Sequence, residues 1–132
     1  MAVTTADSRL EERWRDILSV HAHTMCEIDR VLHPHGLGAS DFEVLDLLAT
    51  ESPAQGDHCR VQNLVGRVHL SQSALSRLIG RLEKEGLVER SVCAEDRRGV
   101  WVALTQRGRD LHAEVLPLQR AVLERMLPAQ AG

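Results

Sequence analysis

The chain has 132 residues, which fits one domain and leaves no room for two ordinary ones. Its composition is globular, with 43% apolar and 27% charged residues, no apolar run long enough for a membrane span and no signal-peptide pattern at its start. The cysteines, Cys26, Cys59 and Cys93, match neither a disulfide framework nor a CxxC metal motif, so we expect a cytoplasmic protein without a metal or another cofactor.

Charge is distributed unevenly along the chain. The net charge is −3, yet the span 60–109 carries ten Lys or Arg against five Asp or Glu. That span therefore has a net charge of +5, which leaves −8 for the remainder. A segregated positive region points to a polyanionic partner at one end of the molecule.

The first elements are predicted to be helices. The chain has three Trp or Phe residues and no Tyr, so its core must be built mainly from aliphatic side chains, which favours packed helices. Residues 8–33 predict one long helix capped by Ser8, and Ser40 is predicted to cap a second helix that ends near Thr50. Trp14 and Trp101 are interpreted as packing anchors. The long helix carries apolar spacing typical of a heptad seam, formed by Trp14, Leu18, His21, Met25, Ile28 and Leu32.

The middle of the chain predicts a helix-turn-helix followed by a β-hairpin. A short helix over 60–68 leads through a turn to a helix over 71–85, which Gly86 ends. Strands are predicted at 87–92 and 100–104, and Thr105 then caps a last helix. The expected fold is therefore mainly α with a small β-hairpin wing, a winged helix-turn-helix between N- and C-terminal helices.

The 71–85 helix carries a polar outer stripe that is suited to DNA. A recognition helix points its N-terminal residues at base edges in the major groove, where Gln binds adenine and Arg binds guanine. The same stripe is also compatible with a merely solvated face. The hairpin tip favours the DNA interpretation, because Arg97 and Arg98 suit a narrow minor groove and Asp96 can brace a guanidinium. The stripe consists of Gln72, Ser73, Ser76, Arg77, Gly80, Arg81 and Lys84.

Most of the chain, and most specifically residues 64–108, resembles the MarR family of winged-helix transcription regulators. The resemblance rests on LEKEGLVER at 82–90, DRR at 96–98, LT at 104–105 followed by Gly108, and SDFEVL at 40–45. It implies a homodimer in which 8–35 and 106–127 form the dimerisation helices and 36–105 the DNA-binding domain. It also implies a ligand-responsive regulator, expected to be a repressor, on a pseudo-palindromic operator.

The resemblance assigns roles within the predicted DNA contacts. Arg98 would enter the minor groove, braced by Asp96, with Arg97 on the backbone. Members usually carry a further C-terminal helix, for which 127–132 is too short, so we expect a smaller or rearranged dimer interface and a more open ligand pocket. The residues expected in the major groove are Ser71, Gln72, Ser73, Ser76 and Arg77, and Arg81 completes the predicted DNA-binding set.

A small-molecule effector and the residues that sense it are less defined by the sequence. His21, Met25 and Cys26 on the first helix are the candidate sensor residues, although a seam histidine or a lone cysteine is more often only a packing residue. Redox sensing and a histidine-built metal site remain alternatives, as does a winged helix that binds a protein instead of DNA. An enzyme is not expected, because the sequence contains no nucleophile-base pair, phosphate loop or metal motif.

Overall fold

The computed structural model describes residues 5–50, 59–92 and 100–129. Five helices and three strands lie within these residues, and the predicted order of elements is confirmed with one strand added. No described helix has the length and apolarity needed to cross a membrane. The elements are α1 (Thr5–Leu32), a 3₁₀ turn (His33–His35), α2 (Ala39–Thr50), β1 (Cys59–Arg60), α3 (Val61–Val65), α4 (Gln72–Lys84), β2 (Val88–Val92), β3 (Val100–Leu104) and α5 (Gln106–Met126).

The three strands form an antiparallel sheet in the order β1-β3-β2. The hairpin pairs Val88 with Leu104 at its base and Val92 with Val100 at its outer end. The predicted helix over 60–68 is wrong at both ends, because residue 60 belongs to β1 and α3 ends at residue 65. Strand β1 supplies hydrogen-bonding groups to the free edge of β3, which would otherwise lack partners.

The hydrophobic core lies between the sheet and four helices. These helices are α2, α4, α5 and the C-terminal half of α1. Its centre is fully buried and almost entirely aliphatic, as the composition predicted, with Phe42 as the one large aromatic side chain among the buried residues described. The largest fully buried side chains are those of Phe42, Leu32, Leu45, Leu64, Leu75, Ile79 and Leu82.

Two of the three predicted N-terminal helix caps are wrong. Ser8 lies inside α1, which already includes Thr5, and Ser40 lies inside α2. At the start of α2, Asp29 Oδ1 accepts the N–H of residue 39 at 2.7 Å, and Asp41 Oδ2 accepts that of Gly38 at 2.7 Å. Carboxylates are favoured at this position because they face the positive end of the helix dipole.

The third predicted cap, Thr105, is confirmed, and Ser71, which was predicted as the first residue of the 71–85 helix, is the N-cap of α4. Ser71 Oγ accepts the N–H of Ala74 at 3.2 Å, and Thr105 Oγ1 accepts that of Gly108 at 3.0 Å. Gly108 allows the first turn of α5 to lie directly on the chain before β2, because a Cβ there would be 2.1 Å from the carbonyl oxygen of Leu87. The Thr105 cap and the close approach of Gly108 to Leu87 fix the base of the hairpin against α5.

The heptad seam of α1 is divided into a packed half and an exposed half. Ile28 and Leu32 are buried, whereas Trp14 is 59% exposed, so its interpretation as a packing anchor is wrong within a single chain. Trp101 is half-buried on β3. We call the exposed apolar residues of α1 the α1 stripe, which consists of Leu10, Trp14, Ile17 and Leu18.

Candidate nucleic-acid interface

Helix α4 presents the two faces that its sequence predicts. Its inner side chains are buried, and its outer residues remain exposed along the whole length of the helix. The buried residues are Leu75, Leu78, Ile79 and Leu82. The exposed residues that belong to the predicted stripe, which we call the α4 stripe, are Gln72, Ser73, Ser76, Arg77, Arg81 and Lys84, and Glu83 is exposed as well.

The N-terminal end of α4 combines exposed polar side chains with a capped helix terminus. The Ser71 hydroxyl is engaged as the cap and also lies 3.3 Å from the Ser73 hydroxyl. Gln72, Ser76 and Arg77 extend the exposed surface along the first two turns. The free N–H groups and the dipole of a helix N-terminus favour phosphate, so this end suits a polyanion.

Arg81 differs from the rest of the α4 stripe, because its guanidinium is bound to another helix. Its Nη2 donates a short hydrogen bond to Asp41 Oδ1 of α2, and its Nη1 lies 3.9 Å from Glu85 Oε1. The hydrogen bond to Asp41 is the largest cause of a raised pKa at Arg81, and the charges of Asp41 and Glu85 add to it. The predicted DNA-binding residue Arg81 is therefore also an inter-helix contact.

Arg90 of β2 is a residue at this surface that the sequence analysis did not single out. Its Nη2 donates to the backbone oxygen of Ser76 at 3.1 Å, and its Nε lies 3.7 Å from Glu83 Oε1. A Cβ at position 80 would lie 3.1 Å from Arg90 Nη2, so Gly80 leaves room for the guanidinium. The sequence signal that could have indicated this close approach is a glycine in the middle of an exposed helical stripe.

The hairpin carries the predicted wing, whose tip lies outside the described residues. Strand β2 ends at Val92 and β3 begins at Val100, so the chain between them contains Asp96, Arg97 and Arg98 as well as Cys93. The paired strands bring the two ends of this connection, Val92 and Val100, together at the outer end of the hairpin. The predicted contacts of Asp96, Arg97 and Arg98 with DNA stay predictions.

Two of the three candidate sensor residues line a cleft of about 530 Å³ between α1 and α5. His21 and Met25 contribute to its wall, whereas Cys26 is exposed outside it. The cleft is mainly apolar, and Leu127 and Pro128 also line it. Its remaining lining residues are Asp16, Ile17, Val20, Thr24, Ile28, Glu43, Gln119 and Leu123.

The polar side chains of the cleft are those of Asp16, His21, Thr24, Glu43 and Gln119. The Thr24 hydroxyl is buried and has no hydrogen-bond partner among the described atoms. Burial, and secondarily the carboxylate of Asp46, raise the pKa of the Glu43 carboxyl, while His69 partly offsets that rise. Within residues 5–50, 59–92 and 100–129, no three His, Cys, Asp or Glu side chains converge as metal ligands do.

Comparison with known proteins gives matches over most of the chain. The MarR family model matches residues 38–100. AbsC, a MarR family transcriptional regulator from Streptomyces coelicolor, is 31% identical, and the alignment covers 96% of this chain and 82% of AbsC with a TM-score of 0.81. Sco3205, a MarR family transcriptional regulator of the same organism solved in complex with DNA, is 27% identical, with coverage of 96% and 77% and a TM-score of 0.81.

Curated relatives match over shorter stretches. YwhA, an HTH-type transcriptional regulator of Bacillus subtilis, is 32% identical over 68 residues, which are 52% of this chain and 49% of YwhA. Three such relatives are matched over 49–66% of their own length. The match to AbsC combines identity above 30% with coverage of more than two thirds of both chains. Together with the winged helix-turn-helix described above, these matches show that the chain belongs to the MarR family.

Proposed function

We propose that this chain is a homodimeric, sequence-specific DNA-binding regulator of transcription. It acts as a repressor whose affinity for DNA changes when a small molecule binds. The observation that carries the proposal is the α4 stripe, which is exposed, polar at its N-terminal end and cationic further along. A recognition helix needs this distribution, since its first turns face base edges. The DNA complex of the related Sco3205 supports the same use of the fold.

The proposed DNA contacts are divided between the exposed N-terminal end of α4 and the hairpin. Gln72 and Arg77 would bind base edges in the major groove, and the hydroxyls of Ser71, Ser73 and Ser76 would bind bases or phosphates. The hairpin would carry Arg98 into the minor groove, with Asp96 bracing it and Arg97 on the backbone.

Dimerisation is supported by the α1 stripe. Four large apolar side chains lie exposed on one face of α1, and the span that contains them is the one assigned to dimerisation. A second copy that covers this face would bury apolar area and bring two winged helices together, as a two-fold-symmetric operator requires. We therefore propose that 8–35 and 106–127 form the dimer and that 36–105 binds DNA.

The effector is proposed to bind the cleft between α1 and α5. A volume of about 530 Å³ suits a small organic molecule, and the buried Thr24 hydroxyl and the Gln119 side chain place polar groups along mainly apolar walls. His21 and Met25 would contact that molecule. Cys26 lies outside the cleft, so it is not proposed to contact that molecule.

The proposed function is tested by selecting genomic fragments of the source organism with the purified, reduced protein and sequencing the bound DNA. Recovery of a two-fold-symmetric site of about two helical turns, bound with an affinity that falls steeply with salt, supports the proposal. Recovery of nothing beyond salt-sensitive background refutes it, and a winged helix that binds another protein then becomes the better explanation.

A further inference from the structure

Two arginine side chains make contacts at the edges of the exposed face of α4, one at each edge. Successive residues of an α-helix are about 100° apart, so Arg81 lies about 40° to one side of Arg77 and Gly80 about 60° to the other. On the first side Arg81 is bound to Asp41 of α2. On the second side Arg90 of β2 reaches over Gly80 to the backbone oxygen of Ser76.

The contact with Asp41 has a physical reason to persist when DNA is present. The Asp41 side chain is only 6% exposed, and its two oxygens are used by the N–H of Gly38 and by Arg81. Removing the guanidinium would leave a carboxylate buried and unpaired, which is strongly unfavourable. A turn of Arg81 toward a phosphate would therefore leave the Asp41 carboxylate without its cation.

The local charge also makes Arg81 a poor phosphate ligand. Its guanidinium lies between the carboxylates of Asp41 and Glu85, whose summed charge exceeds its own. Lys84, one turn from Arg81 on the same stripe, offers a comparable exposed cation for comparison. These charges indicate that Arg81 contributes little to the attraction of DNA.

We propose that Arg81 is a positioning residue, whose ion pair with Asp41 fixes the rotation of α4 about its axis and so aims Gln72 and Arg77 at the bases without touching DNA. This inference rests on the proposed function, in which α4 is the recognition helix. Base hydrogen bonds are directional, so a small rotation weakens them, whereas contacts with the uniform phosphate backbone tolerate it. The loss of Arg81 should therefore lower specific affinity more than non-specific affinity.

The experiment compares wild type, Asp41→Asn, Arg81→Ala and the double variant. Asparagine at position 41 can still accept the N–H of Gly38, so Asp41→Asn removes the ion pair and keeps the helix start. Each dimer is titrated at several salt concentrations with the genomic duplex that wild type binds best and with a random-sequence duplex. Lys84→Ala is the matched control for the loss of one exposed cation.

Both single variants are expected to bind the selected duplex about tenfold more weakly, because that loss corresponds to the net free energy of one charged hydrogen bond. The double variant is expected to bind no more weakly than either single variant. Their slopes of log affinity against log salt should equal that of wild type, and binding of the random duplex should not change. Arg81→Lys, which keeps a cation within reach of Asp41, should restore most of the loss. The double variant contains no unpaired buried charge, so its affinity is informative even where Arg81→Ala folds poorly.

The inference is overturned if Arg81→Ala lowers the salt slope by about one while Asp41→Asn leaves affinity unchanged or higher, since those results describe a phosphate contact. Failure of the proposed function would give a different result. Wild type itself would then bind all duplexes, including the random-sequence one, with the same affinity.

Discussion

The imidazole Nε2 of His112 lies 2.7 Å from Oδ1 of Asp46, and this contact joins α5 to α2 within the fold. His112 is only 9% exposed, and its ring stacks on Phe42 with the centroids 5.5 Å apart. Such a partly buried pair contributes mainly because the His112 ring nitrogen would lack a partner without Asp46. The contact therefore couples the proposed dimerisation and DNA-binding regions.

We expect a double-mutant cycle of His112→Gln and Asp46→Asn to give a coupling free energy of about 1–3 kcal/mol, measured by urea unfolding. The matched control is the more exposed pair of His35 and Glu114, whose Nδ1 and Oε1 are 3.8 Å apart, for which about 0.5 kcal/mol or less is expected. Equal coupling in the two cycles would contradict a special role for His112.

Gly108→Ala should destabilise the chain by about 1–3 kcal/mol, because the new methyl group would meet the Leu87 carbonyl oxygen and the two backbones must separate. Urea unfolding measures the loss. Gly66→Ala is the control, since a Cβ at that position has only ordinary contact, 3.9 Å from the Asn63 oxygen. A Gly108→Ala variant as stable as wild type would show that the hairpin base is not fixed against α5.

Glu43→Gln should make the protein more stable at neutral pH. The pKa of Glu43 is raised from 4.5 by burial and by Asp46, so the folded chain holds this proton more tightly than the unfolded chain does. The stability contributed by Glu43 is therefore fully present below its unfolded pKa and is lost as pH rises through the folded pKa. Unfolding followed against pH should show the gain of the Gln variant shrinking toward zero as pH falls below 4.5. Curves that stay parallel across this range would contradict the assignment.

Local patterns were sufficient to predict α4 and the N-terminal cap of α5. The apolar repeat defined which face of α4 is buried, and Ser71 and Thr105 cap helices through bonds to residues only three positions away. The wrong cap at Ser40 has a non-local cause, because the N–H of residue 39 is bound by Asp29, ten residues earlier. Strand β1 was missed for the same reason, since its partner β3 is distant along the chain.

The candidate site shows the same limit. Periodicity predicted that Arg81 belongs to the α4 stripe, but it contains no information about Asp41, which lies forty residues earlier and binds its guanidinium. The seam of α1 was recognised as apolar, yet its pattern did not distinguish Ile28, buried in its own chain, from Ile17, left exposed. Packing against other helices decides between these outcomes.

Ile17→Glu is expected to weaken dimerisation, because it places a charge in the α1 stripe that a second copy would bury. Analytical ultracentrifugation should show wild type as a dimer and the variant shifted to monomer. Val100→Glu provides the same change at an exposed apolar residue remote from α1 and should leave the dimer intact. A concentration-independent monomer for wild type would contradict the proposed assembly.

Arg77→Ala and Arg98→Ala should separate base recognition from the wing contact. If Arg77 makes a bidentate contact with guanine, its loss should cost about 1–3 kcal/mol at one operator position and relax the preference there, with other positions unaffected. Arg98→Ala should weaken binding severely while the thermal midpoint stays near that of wild type, since its expected partner is DNA. Affinities are compared on the selected operator and on operators changed one base pair at a time. A uniform loss across all these sequences for Arg77→Ala would reassign Arg77 to a phosphate, and wild-type affinity in Arg98→Ala would remove the wing from the mechanism.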